Sequence, residues 1–223
     1  MNIRQDGKQI VDLSQPLDAH TPVYPGDPSV EIRVIETAAE PLADQPRSVN
    51  IRQLVLGTHN GTHLDAPFHF FNDQPTIDQL HLERCCGLAA CLDVSKAAKT
   101  GEIDADDLPL RSEVPLQIKC LLLSTGWCHR WHESDYFTDH PVLTEAAAER
   151  IVDLNLDLVG VDFPSVDRAP YATHLKLLGN QVLIVENLTR LDNLVEKDFE
   201  FFAVPLPIHR GDASPVRAFA ILQ

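Results

Sequence analysis

The chain is poor in positive charge: its 223 residues carry 18 Lys and Arg against 33 Asp and Glu, a formal net charge of −15. Nucleic acid and anionic membrane surfaces are recognised by clustered cations, so neither is an expected partner. Long apolar runs are missing as well, and none approaches the roughly 18 residues expected of a membrane span. The opening MNIRQDGKQIVDLS lacks the basic end, apolar middle and small-residue cleavage site of a secretion signal. A soluble, cytoplasmic protein is therefore expected, and Asn187-Leu188-Thr189 then carries no meaning as a glycosylation signal. The five cysteines, Cys85, Cys86, Cys91, Cys120 and Cys128, are odd in number and form no CxxC pair, which argues against a disulfide framework and a thiolate zinc site. Cys91 and Cys120 lie in apolar runs and read as small core residues. No GxSxG elbow occurs, so nothing requires a serine nucleophile. Internal repeats and low-complexity tracts are also lacking.

What is present suits one α/β domain over residues 1–223, long enough to bury roughly 70% of its unfolded surface. Short apolar or alternating stretches at 9–14, 30–37, 48–56, 87–94, 118–124, 156–162, 181–186, 201–206 and 216–222 read as strands. The third, 48–56, feeds straight into the histidine-rich stretch, which places that stretch at the end of a rigid strand. Thr144 can cap a helix in which Ala147, Ala148, Ile151 and Leu154 recur at helical spacing, so residues 118–162 read as β-α-β. The loop AHTPVYPGDPSV holds Tyr24 between two prolines, as a lid over a site or a plug on the core; composition favours the plug. Residues 163–173 form a second loop, followed by a short helix from His174 to Leu178. Asp104, Asp106 and Asp107 lack the glycine and glutamate of a calcium loop and read as a solvated face. Cys128, His129 and His132 are read as part of an exposed segment because Arg130 and Glu133 flank them.

One stretch stands apart. LVLGTHNGTHLDAPFHFF, residues 54–71, places His59, His63, Asp65 and His69 at positions of one parity, hence on one face of an extended chain. A straight strand would leave His59 and His63 about 13 Å apart, too far for bonds of about 2 Å to a shared ion. The chain must turn between them, and Asn60-Gly61 supplies the turn because glycine reaches backbone angles closed to other residues. A lone histidine is usually an ordinary core or surface residue. Three imidazoles and a carboxylate buried together without a partner would cost several kcal/mol, and a divalent cation offsets that cost. Downstream, His174 and Glu186 are the candidate second half. A carboxylate closing an apolar strand is expensive unless paired, either in this site or, more simply, with Lys176 or Arg190.

The pattern His59-x-Gly61-Thr62-His63-x-Asp65-x-Pro67-x-His69, with His174 twelve residues before Glu186, closely resembles the cyclase-like metal-dependent hydrolases, a family that includes bacterial kynurenine formamidases and isatin hydrolases. The likeness extends through DLS at 12–14, TPVYPGDP at 21–28, TGW at 125–127 and GVDxxSVD at 160–167. It implies a compact domain built on a barrel-like mixed β-sheet flanked by helices, assembled as homodimers or homotetramers. It further implies that His59, His63 and Asp65 hold one metal, that Asp65 and Glu186 bridge to a second bound also by His174, and that His69 donates and accepts protons. Tyr24 stands in the proline-rich loop where formamidases typically carry Trp, at a position that contacts substrate.

Nitrogen and oxygen ligands without thiolate suit two Zn²⁺ and also Mn²⁺. The expected activity is hydrolysis of the C–N bond of a small aryl formamide, N-formylkynurenine to kynurenine and formate, by metal-activated water with His69 moving the proton. Isatin or another cyclic amide is the alternative substrate. Two readings of another class are a non-catalytic metal- or ligand-binding protein and a structural zinc site, which would have a closed four-ligand shell.

Overall fold

The computed structural model describes residues 3–5, 8–36 and 50–222. Residues 37, 48 and 49 of the strand expectations lie outside that range. In chain order the strands are β1 (Ile3–Gln5), β2 (Lys8–Asp12), β3 (Glu31–Glu36), β4 (Asn50–Val55), β5 (His63–Asp65), β6 (Cys86–Asp93), β7 (Glu102–Ile103), β8 (Cys120–Ser124), β9 (Val142–Leu143), β10 (Leu158–Val161), β11 (Leu183–Glu186), β12 (Phe199–Phe202), β13 (Ala213–Pro215) and β14 (Phe219–Leu222). The α-helices are α1 (Ser95–Ala98), α2 (Glu145–Asp153) and α3 (Ala172–Gly179).

Ten strands make one sheet in the order β1-β2-β14-β12-β6-β8-β10-β11-β5-β13. It curls into a half-barrel, as expected of a barrel-like mixed sheet. The middle, β6-β8-β10-β11, is parallel. Parallel neighbours need crossover connections, and α2 supplies one between β8 and β10 while α3 supplies the next between β10 and β11. Thr144 caps α2 as its sequence predicts, its hydroxyl accepting the Ala147 N–H at 3.1 Å. Antiparallel strands flank this centre on both sides.

Alternation along the strands divides the core in two. Leu121 and Leu123 of β8 face α2 and α3, packing with Ala147, Ile151 and Leu177, while Leu122 faces a second cluster with Leu13, Leu64, Phe199 and Phe201. Gly160 of β10 shows how closely that second cluster is packed. A Cβ there would stand 2.6 Å from Leu122 Cδ2 and 2.7 Å from Leu188 Cδ1. Gly160→Ala is expected to cost about 1–3 kcal/mol by overpacking, read as a lower urea midpoint; an unchanged midpoint would show that the cluster yields.

Two expectations need correction. The pair β3 and β4 forms a separate antiparallel ribbon whose described side chains are all exposed, the apolar Ile32, Val34, Ile35, Ile51, Leu54 and Val55 among them; β4 leads into the histidine-rich stretch without joining the ten-stranded sheet, so the rigid strand that carries the site is β5. Nor is the 127–137 segment simply exposed. Cys128, Trp131 and Tyr136 are buried, while Arg130 lies over the Trp127 ring at 4.5 Å. All five cysteines are free, and burial pushes the Cys91 and Cys120 thiols up to about 12, as inert core residues require. No helix among the described residues is long and apolar enough to cross a membrane.

Candidate metal centre

The site forms where β11 ends against β5. The two strands are antiparallel with Glu186 opposite His63 and Ile184 opposite Asp65, so the pleat puts Glu186, His63 and Asp65 on the same face while Leu64 points into the opposite core. The turn before β5 is where the sequence requires it. Asn60 N–H donates to Gly57 O, Asn60 Oδ1 accepts the Gly57 N–H at 2.6 Å, and Gly61 has φ of +70° with Leu17 Cδ2 2.6 Å from the place a Cβ would occupy. A second turn follows, unforeseen: Pro67–His69 is a single 3₁₀ turn. His69 therefore reaches the site by folding back rather than by strand parity, its ring centroid 4.2 Å from that of His59.

Asp65 lies at the centre. It is 0% exposed, and no backbone, hydroxyl or amide donor reaches either carboxylate oxygen. Around it stand His59 Nδ1 at 3.0 Å, His63 Nε2 at 3.4 Å and His174 Nε2 at 3.9 Å. Glu186, also buried, lies 3.4 Å from His63 Nε2 and 3.5 Å from His174 Nε2. The alternative pairing of Glu186 is overturned, since Lys176 pairs with Glu149 and Arg190 donates to Asp12 O.

The far side of each imidazole is held. His63 Nδ1–H donates to Gly61 O at 2.9 Å, His174 Nδ1–H to Asp167 Oδ1 at 2.6 Å, and His59 Nε2–H to Asp212 Oδ2 at 3.0 Å. With those protons on the outer nitrogens, the inner ones offer lone pairs to the Asp65–Glu186 space. This is how proteins orient histidine ligands to a metal. Donors about 2.0–2.1 Å from a tetrahedral ion stand about 3.3 Å apart, close to the 3.4–3.5 Å separations among His63, His174, Asp65 and Glu186. The sets His59–His63–Asp65 and Asp65–His174–Glu186 each bring their donor atoms within 4.8 Å of one another. An unpaired buried carboxylate costs several kcal/mol, so this donor set fits a divalent cation.

Asp162, Ser165 and Asp167, whose roles the sequence left open, brace the site. Asp162 follows β10 and accepts the N–H groups of Thr125 and Gly126, which ties the TGW loop to the sheet; burial nevertheless pushes its carboxyl up to about 6. Asp167 also accepts the Thr173 and His174 N–H groups at the start of α3. Ser165 Oγ donates to Asp167 O, and Val166 N–H donates to Glu186 Oε1. The structure adds Asp212, which follows Gly211 and precedes β13; no pattern in the sequence singled it out. His140 is buried against Phe163 and outside the site, while His20, His81 and His209 are exposed.

A cavity of about 470 Å³ opens over these groups, walled by Tyr24, Phe70, Phe137 and Tyr171. Tyr24 is 39% exposed and edge-on to Phe137 at 5.9 Å. It lines the cavity and is not a core plug.

The family model described as "Putative cyclase" matches residues 11–168. The chain belongs to this cyclase family. Among its relatives, the kynurenine formamidase of Geobacillus thermodenitrificans (strain NG80-2) is 35% identical, over 93% of this chain and 95% of that one. The kynurenine formamidase of Bacillus mycoides (strain KBAB4) is 33% identical over 94% and 96%. A crystal structure of an isatin hydrolase bound to the product analogue thioisatinate superposes with a TM-score of 0.82 at 25% identity, covering 96% of this chain and 92% of that one. A structure described as a predicted metal-dependent hydrolase from Bacillus stearothermophilus shares the fold, with a TM-score of 0.76, 23% identity, and coverage of 96% and 98%. The chain is thus a cyclase-family hydrolase, and its donor cluster is one that could hold a divalent metal.

In the metal-free cyclase, burial lowers the proton affinity of His59 and His174. Asp65 and Asp212 around the first, and Asp167 and Glu186 around the second, outweigh it and raise both to about 10. Without an ion both imidazoles are therefore doubly protonated through neutrality, their inner nitrogens donating toward Asp65 and Glu186, and an ion must displace those inner protons. Apparent metal affinity is expected to rise with pH from about 6.5 toward 10, by up to about tenfold per unit for each proton displaced. Titrations of metal into chelator-stripped protein at several pH values measure this, and a flat profile would refute it.

Proposed function

We propose that this cyclase-family hydrolase cleaves the C–N bond of a small aryl formamide, N-formylkynurenine to kynurenine and formate. The observation that carries the reading is the wholly buried Asp65 carboxylate, faced by the nitrogens of three imidazoles whose far nitrogens are anchored, beneath an aromatic-walled cavity. In this reading His59, His63 and Asp65 hold one divalent ion, and Asp65, His174 and Glu186 hold a second, zinc or manganese. Such ions supply Lewis acidity, polarising a carbonyl oxygen and making water more acidic.

The chain's own residues do the rest. Tyr24, Phe70, Phe137 and Tyr171 stack around the aryl ring and exclude water from it. His69, at the cavity edge, takes a proton from the attacking water and returns it to the leaving nitrogen, so that one water is consumed per amine and formate released. The kynurenine formamidase relatives favour the open-chain formamide. The isatin hydrolase neighbours favour a cyclic amide as the second reading, and Tyr24 in place of Trp is compatible with it. Cytoplasmic location and a homodimer or homotetramer complete the proposal. Metal-loaded protein supplied with N-formylkynurenine and isatin side by side should turn over the formamide faster. Faster isatin opening would establish the second reading, and hydrolysis of neither would overturn both.

A further inference from the structure

Asp212 comes to the site from 153 positions away in sequence and is held by the sheet. Its own carbonyl accepts the Ala66 N–H at 2.9 Å, and the next residue, Ala213, pairs with Asp65. Its carboxylate receives three groups. The Thr58 hydroxyl donates to Oδ1 at 3.0 Å and His59 Nε2–H to Oδ2 at 3.0 Å, while His69 Nδ1 stands 3.6 Å from Oδ2. The two imidazoles share one oxygen and lie with ring centroids 4.2 Å apart. No other carboxylate lies within ion-pair distance of His69 among the described residues.

From this geometry we propose that Asp212 is a positioning residue for the proton transfer, orienting His69 so that Nδ1 keeps its proton toward the carboxylate and Nε2 meets the substrate. The inference rests on the assignment of His69 as the proton carrier. The arrangement follows the general logic of a base oriented by a third group, with one addition: the same oxygen also aims His59 Nδ1 at Asp65. A contact of 3.6 Å is long for a hydrogen bond, and such contacts tighten when substrate closes the site. Thr58 fixes the other oxygen, so Oδ2 is free to serve the imidazoles. Asp212 touches no reacting atom; it acts through His69.

The test uses the zinc-loaded protein and Asp212→Ala, with Asp212→Glu as the conservative variant and Asp212→Asn as the isosteric one. Nitrogen-15 NMR of the histidine rings, recorded at saturating zinc because Asp212 also holds His59, is expected to show His69 protonated on Nδ1 in the wild type and shifted toward the Nε2–H form in Asp212→Ala. On N-formylkynurenine, kcat should fall about 10–100-fold with KM changed little, as is usual when an outer partner of a site histidine is removed. Asp212→Glu should recover part of the loss. Should Asp212→Ala fold poorly, Asp212→Asn is read for the same drop in kcat and the same tautomer change. An unaltered His69 tautomer in Asp212→Ala would overturn the proposal; zinc lost in step with activity while the tautomer stays unaltered would show that Asp212 serves His59 and the metal and not His69. If the wild type hydrolyses no amide, the proposed function fails, and the tautomer measurement still decides the positioning of His69.

Discussion

Asp65→Asn is expected to lower the metal content of the purified protein below one ion per chain and to reduce hydrolysis by about 10³-fold or more. The magnitude follows from several kcal/mol of charge stabilisation that a bound dication contributes to carbonyl hydrolysis. Asp65 is the one residue common to the sets His59–His63–Asp65 and Asp65–His174–Glu186, so both proposed ion positions depend on it. The amide matches the carboxylate in size, and the Asp65 backbone stays paired with Ile184 and Ala213. The fold should therefore persist while metal is lost. Elemental analysis alongside turnover checks this directly. Full metal retention in the variant would remove Asp65 from the centre of the site and with it the proposed two-ion arrangement.

His69→Ala should do the opposite, leaving metal content intact and lowering kcat by about 10²–10⁴-fold, the range for loss of a general acid–base group. His69 belongs to neither of the two sets that share Asp65; it groups with His59 and Asp212 at the cavity edge. Its side chain is 28% exposed, the most open of the four, against 21% for His59, 3% for His63 and 5% for His174. A group that exchanges protons with substrate needs that access, whereas a ligand is better buried. Metal analysis and kcat on the same preparation separate the two roles, and loss of metal in this variant would make His69 a ligand.

The strands around the site were largely legible because a buried parallel strand needs a continuous apolar run, and 118–124, 156–162 and 181–186 each supply one. The α2 helix was legible from its cap and its apolar spacing. Composition alone places Tyr24 on the core, whereas the family resemblance places it at the substrate, and its position on the cavity wall agrees with the resemblance; composition describes how apolar a residue is and not which cavity its loop lines. His69 was placed by parity, yet Pro67 sets the backbone for a 3₁₀ turn that breaks the alternation. Asp212 escaped notice because a single aspartate after a glycine in a polar loop looks like any turn residue until its strand pairs beside Asp65.

The sequence by itself determined the donor types, the turn at Gly61 and the pairing of His63 with Asp65 on one strand face. Those features are local, set by backbone angles and by the two-residue repeat of a strand. Only the tertiary structure decided that Glu186 turns from Lys176 and Arg190 toward His63 and His174, that Asp167 and Asp212 hold the outer imidazole nitrogens, and that aromatic side chains from separate loops close one cavity. Most of these depend on strand order and register, which bring Glu186 to His63 and Asp212 to His59 across more than a hundred positions; Asp167 and His174 are seven positions apart, joined by the loop that leads into α3.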